Sequence, residues 1–291
     1  MGECDNDNEN QSKISSGPDV NLIRNLKPVV NFLFLIFVVA ACASNIPSPA
    51  TSTPSPFPSA TFTNTPIATS IPLPSATPTL PAVLITSGDW VRPYVALTFD
   101  MCQDPEYPAG YDAGIVDVLL LYNVRATFFM GGDWMRTHPE ETKQLASNPN
   151  FELGNHSWSH PDLTKLSEEE ISQQIEMTEN MLFELTGKHS RLFRPPFGFY
   201  NEQVLQVIAN HGMYAIQWDS VTGDPDPNFD AETILSEVKR TVRKGSIIIM
   251  HANGRGWHTA EALPSIIEYL QNRSYTLVTV SQLIGLEPIK P

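Results

Sequence analysis

The chain has 291 residues, with 18 Lys and Arg against 32 Asp and Glu, and a formal charge of −14. Nucleic acid is excluded as a partner, because phosphate neutralisation needs clustered cations, and strongly anionic polymers are disfavoured as substrates by the same repulsion. Three cysteines are too few for a disulfide framework.

In chain order, Arg24 and Lys27 precede an apolar stretch from Pro28 to Ala41, the charged start and short core of an export signal. A membrane-spanning helix needs about 20 apolar residues, so an uncleaved signal anchor is the weaker alternative. The stretch ends in Val39-Ala40-Ala41-Cys42, which resembles a bacterial lipobox. That resemblance implies cleavage before Cys42, lipid on its sulfur and new amine, and a domain held outside the cytoplasm at the cell membrane. From Ala43 to Gly88 no residue is charged and proline recurs among Ser, Thr and Ala. Too little apolar surface is present there to offset the entropy of ordering, which marks a linker. The expected division is therefore a signal peptide over 1–41, lipidated cysteine and linker over 42–88, and a folded domain over 89–291.

Within that domain, β-branched and aromatic runs alternate with helical patterns. Strands are expected at Tyr94 to Asp100, Ala126 to Met130, Phe151 to Asn155, Leu192 to Arg194, Tyr214 to Asp219, Ser246 to His251 and Tyr275 to Val280. Helices are expected near 112–122, 139–147, 168–186, 201–210, 231–243 and 259–272. The third has a capping box in Ser167 and Glu170 with Gly187 past its end, and Asn201 and Gly212 bracket the fourth. Continuous apolar strands separated by helices predict a parallel, barrel-like α/β domain.

Five of these strands stop at a residue able to move a proton, bind a metal or hold a charge: Asp100, His156, Arg194, Asp219 and His251. Chemistry in parallel α/β folds gathers at the carboxyl ends of strands, so one barrel mouth is the predicted active site. His156 and His160, four residues apart, can ligate one divalent metal; two ordinary loop histidines are the alternative. Asp100 can accept a proton from water or cap a helix. His251 can donate a proton to a leaving group or be a satisfied core histidine.

Taken together in order, Thr98-Phe99-Asp100, His156 to His160, Arg194-Pro195-Pro196-Phe197-Gly198, Trp218 to Asp224 and Met250-His251 resemble the five motifs of the polysaccharide deacetylase family, also called NodB-homology or carbohydrate esterase family 4. The resemblance covers residues 90 to 285 and implies a distorted (β/α)7 barrel. It also implies roles: Asp100 as general base, His156 and His160 as ligands of a divalent metal, Arg194 as the group that holds Asp100, and His251 as general acid. Asp224 would tune that histidine, with Asp219 the competing carboxylate. Zinc is the first expectation for the metal, with cobalt, nickel or manganese as alternatives. Trp158 and Trp218 are candidate walls for a sugar ring, and a backbone N–H near Phe197 a candidate oxyanion donor.

One departure stands out. The family follows its base with a metal-binding aspartate and a glycine, where this chain has Met101 and Cys102. Thioether sulfur cannot replace a carboxylate on a borderline metal, so a third ligand is expected from Asp104, Asp112 or the thiolate of Cys102, with an aspartate preferred. The activity implied is hydrolysis of N-acetyl groups on an N-acetylglucosamine-type polysaccharide at the cell surface, peptidoglycan first, by a monomer. A metal-free carbohydrate-binding module and a hydrolase of other C–N amide bonds are the rival readings. A glycosidase is disfavoured, because it needs two carboxylates flanking the bond.

Overall fold

The structure, a computed structural model, describes residues 80–103 and 109–289. The predicted signal peptide, Cys42, most of the predicted linker and Asp104 lie outside the described residues. Among the described residues no helix is long and apolar enough to cross a membrane.

All the predicted strands and helices form. In chain order the elements are β1 (Leu84–Ile85), β2 (Tyr94–Met101), α1 (Ala113–Leu121), β3 (Ala126–Met130), α2 (Gly132–Thr137), α3 (Pro139–Ser147), β4 (Phe151–Asn155), α4 (Glu168–Thr186), β5 (Leu192–Phe193) and α5 (Glu202–Asn210). Then follow β6 (Tyr214–Ile216), β7 (Ser220–Val221), α6 (Ala231–Thr241), β8 (Ile247–His251), α7 (Thr259–Asn272), β9 (Thr276–Leu277) and α8 (Val280–Leu283). The strands run parallel in the order β1-β6-β5-β4-β3-β2-β8-β7, with β9 added to the start of β2. The fold is the distorted (β/α)7 barrel expected from the resemblance.

Three details differ from the sequence reading, each for a physical reason. The predicted strand at 214–219 is split, because this one segment closes the ring: Gln217 donates its N–H to Ile85 at 2.8 Å, while two residues later Asp219 donates to Ile247 at 3.3 Å. A straight strand cannot serve both edges, so it bends between β6 and β7. The seventh predicted strand shrinks to two residues, β9, and α8 then turns beneath the barrel. Thr127 Oγ1 and the half-buried Glu152 carboxylate accept the N–H groups of Val280 and Ser281 there, at 3.0 and 3.1 Å. Finally, β1 and an antiparallel bridge from Ser87 to Ser246 fall in the stretch expected to be linker, so the fold begins earlier than residue 89. A two-residue strand carries too short a pattern to read.

Helix α4 shows how local signals place the site. Ser167 and Glu170 make the reciprocal capping box, and Gly187 ends the helix at φ 68°. Its buried face holds Ile171, Ile175, Thr178, Glu179 and Leu182, the 3.6-residue spacing of an apolar stripe interrupted by a threonine and a carboxylate. Strand β2 lies between β3 and β8 in the sheet. Val95, Leu97, Phe99 and Met101 face the helices and join the main core, whereas Ala96 faces inward with Phe129, Ile216 and Ile247. Asp100 pairs in register with His251 on β8 and with Phe129 on β3, so the chemistry-bearing strand ends finish at one level.

Candidate active site

At the centre of the mouth, Arg194 is fully buried and Asp100 is 4% exposed. The guanidinium donates to Asp100 Oδ1 at 2.6 Å, to Thr98 Oγ1 at 2.9 Å and to the Gln217 carbonyl at 3.3 Å. Phe129 carries it at 3.9 Å from the ring centroid, and Trp218 stands 5.4 Å away on its own ring. Burial pushes the Asp100 carboxyl up, but the charge and hydrogen bond of Arg194, aided by His251, outweigh burial and hold it below the usual carboxylate range. Asp100 is thus an ionised group with one oxygen fixed and the other turned toward the histidines.

His156 and His160 come from the loop after β4, with ring centroids 4.9 Å apart. His156 Nδ1 lies 2.8 Å from the Arg194 carbonyl, which fixes Nδ1 as the donor and turns the Nε2 lone pair inward. Burial depresses both histidines, His160 to about 3, and outweighs the opposing pull of Asp100; both present neutral rings. The loop is held from α4. Gln174 Oε1 accepts the N–H groups of Trp158 and Ser159, each at 2.9 Å, and Glu179 accepts from Asn155 Nδ2 at 3.0 Å. Asn155 in turn accepts the Ser157 N–H at 3.0 Å. Ser157, His160 and Phe197 all adopt positive φ, of 65°, 56° and 57°. Such backbone strain in non-glycine residues persists only where surrounding contacts enforce it. Gly198, at φ 71°, completes the Phe197 turn, and a Cβ there would meet the Trp218 ring at 3.0 Å.

On the opposite wall, Asp224 is 1% exposed and accepts from the His251 backbone N–H at 2.7 Å, with its other oxygen 3.1 Å from His251 Nδ1. Thr259 and Thr222 hydroxyls, at 2.8 and 3.0 Å, complete its shell. Burial pulls the His251 pKa down, but Asp224, through charge and hydrogen bond, and then Asp100 raise it above the ordinary histidine value. Asp219 stands elsewhere: it binds the Ile247 N–H, Ser246 and Arg243 at the far end of β8, at 2.9, 3.1 and 3.1 Å. The carboxylate beside the histidine is therefore Asp224.

These walls enclose a cleft of about 310 Å³ whose lining includes Asp100, Cys102, His160, Trp218, His251 and Arg255, large enough for a sugar residue. Trp218 lines it, whereas Trp158 packs on α2 against Gly132. Phe197 lines the rim and is 53% exposed.

The donors fit a metal. His156 Nε2 is buried with no hydrogen-bond partner among the described residues, 3.5 Å from Asp100 Oδ2. Such an orphan is costly unless something binds it. One atom each from His156, His160 and Cys102 lie within 4.8 Å of one another. Asp112, by contrast, accepts from the Gly254 N–H at 2.8 Å and faces the 254–256 loop. The preference for an aspartate third ligand therefore finds no support at Asp112, and Cys102 is the donor that the described residues bring to the pair.

Comparison with known proteins agrees with this geometry. Residues 88–216 match the family model for polysaccharide deacetylase. The chain is 34% identical over 199 residues to the peptidoglycan-N-acetylglucosamine deacetylase of Bacillus cereus, covering 68% of this chain and 70% of that protein. The chain belongs to the polysaccharide deacetylase family. Among solved deacetylase structures, it superposes on the Bc1960 peptidoglycan N-acetylglucosamine deacetylase with a TM-score of 0.65 at 31% identity, over 71% of this chain and 95% of that one. It also superposes on BA3943, a family pseudoenzyme from Bacillus anthracis, with a TM-score of 0.63 at 29% identity, over 70% and 69% of the two chains. The chain spans between 31% and 73% of the first curated relatives it matches.

Sequence reasoning assigned no role to Thr98, Thr259, Gln174, Asn155 and Glu179, which position the groups named above. A usable signal existed for some of them: polar residues on the buried stripe of α4, and a threonine two positions before Asp100 on the same strand face.

Proposed function

We propose that the chain is a metal-dependent N-deacetylase of N-acetylglucosamine-type cell-wall polysaccharide, with peptidoglycan as the first substrate. The observation that carries this reading is the pairing, in one buried cluster, of an ionised Asp100 locked to Arg194 with a His251 whose proton is held by Asp224. A base and an acid on adjacent strand ends, the one held ionised and the other held protonated, suit general acid–base hydrolysis.

His156 and His160 would hold the divalent metal, which when bound supplies Lewis-acid polarisation. Asp100, with Oδ1 fixed by Arg194, takes a proton from the attacking water through its free oxygen. The water oxygen bonds to the acetamide carbonyl carbon, and the backbone N–H at the strained Phe197 turn faces the developing oxyanion. His251 Nε2 then delivers its proton to the sugar nitrogen as the C–N bond breaks, giving acetate and a free amine. Asp224 keeps the imidazolium oriented and charged until that step. Trp218 offers a flat wall to the pyranose.

Full chain loaded with zinc is expected to release acetate from N-acetylglucosamine oligomers or peptidoglycan. A second reading, an inactive carbohydrate-binding module, is favoured by the likeness to BA3943 and by Met101 in the position of the family's metal aspartate. Zinc-loaded protein that binds these glycans and yields no acetate would establish that reading instead. Acetate or ammonia from small amides alone would point to another C–N hydrolase.

The tuned acid has a pH signature. Its raised pKa keeps His251 protonated below that value, so turnover falls as pH rises through it. In Asp224→Asn the counter-charge is gone, and the alkaline limb of kcat/KM should move to lower pH. An alkaline limb that stays in place in this variant would remove Asp224 from the tuning role.

A further inference from the structure

The parity of β2 distinguishes Met101 from its neighbours. Side chains alternate between the two faces of a strand, so Thr98, Asp100 and Cys102 share the inner face while Met101 lies among core side chains beneath the helices. A residue at 101 in this backbone serves the core; the next donor on the face of Asp100 is Cys102, which lines the cleft beside it.

We propose that Cys102 completes a His156–His160–Cys102 metal site, in place of the carboxylate of the family pattern, and that the centre consequently selects zinc or cobalt over manganese, magnesium and calcium. Three observations converge. The three donors lie within 4.8 Å of one another. His156 Nε2 is 1% exposed as a residue, without a hydrogen-bond partner among the described residues, and aimed into the same space. Asn253, itself buried, donates to the Cys102 carbonyl at 2.7 Å and reaches its Sγ at 3.4 Å, which fixes the residue as outer partners fix metal ligands. A thiolate carries the same formal charge as the carboxylate it replaces, so the electrostatic balance with Arg194 and the histidines is kept. Its softness is what changes: thiolate with imidazole suits zinc and cobalt, whereas hard ions take oxygen ligands.

The proposal rests on the deacetylase reading of this site, and the test separates the two. Full chain stripped by chelator under reducing conditions is titrated with cobalt(II) alone. One equivalent should produce an intense near-ultraviolet sulfur-to-cobalt band, removed by zinc and unaffected by excess manganese. Cys102→Ser should lose the band and bind cobalt more than about 100-fold more weakly, since even outer partners of ligands contribute 10–100-fold. Cys102→Asp should regain binding without the band and accept manganese. Cobalt bound with no sulfur band, a band that survives in Cys102→Ser through Cys4 or Cys42, or no cobalt binding would each overturn the assignment. Acetate release without the band would leave the deacetylase standing and the thiolate ligand refuted; a band without acetate release would do the reverse.

Discussion

Replacing Arg194 with methionine is expected to destabilise the domain by about 3–5 kcal/mol, because it leaves the Asp100 carboxylate buried without its partner. Arg194 is fully buried between Phe129 and Trp218 and donates to Asp100 and Thr98. Methionine keeps much of the stem and its packing, so the loss reports the charge rather than a cavity. The control is the double variant Asp100→Asn with Arg194→Met, in which neither ion remains. If the single loss comes from an unpaired anion, the double variant should be less destabilised than the sum of the singles, as coupled partners are. Urea unfolding of the four proteins measures it. Additive effects would mean that the pair is not a unit and that Asp100 owes its ionised state to other neighbours.

The second large effect is on turnover. His251→Ala should lower kcat by about 10²–10⁴, the range that a positioned general acid contributes, while metal content stays near that of the parent. Neither His251 ring nitrogen belongs to the histidine–cysteine cluster, and its near partner is Asp224 at 3.1 Å. A less basic leaving group should recover part of the rate, because it needs less protonation. Loss of bound metal in this variant would instead place His251 among the ligands, and an unchanged kcat would require a different proton donor.

Much of this site was legible before any coordinates, and the reason is local. Each chemistry-bearing residue terminates an apolar run, and parallel strands bring their ends to one mouth. The parts that stayed hidden depend on contacts between distant segments. Asp219 ends the predicted strand nearest to the acid, yet the bend that closes the barrel carries it to the bottom of β8, and only the return loop brings Asp224 to His251. Gln174 and Glu179 hold the histidine loop from a helix whose pattern announces packing and nothing more. Cys102 ranks behind the aspartates as a third ligand when ligand type alone is considered, whereas its place follows from alternation along β2, a rule available in the sequence once the strand's end is known. β1 and α8 were unreadable because two- and four-residue elements are made by their partners rather than by their own propensities.

The pairing of β2 with β8 has a consequence for how the protein is made. Thr98 bonds to Ile248 across 150 residues of sequence, and Asp100 sits beside His251 in the same ladder. Closing so long a loop costs entropy before the contact returns any stability, so the pairing that sets Asp100 beside His251 is a costly one to close. During synthesis β2 emerges long before β8, and its edge facing β8 stays unmatched until that strand has followed. No fragment that stops short of β8 can possess the proposed acid–base pair, because His251 is the last residue of that strand.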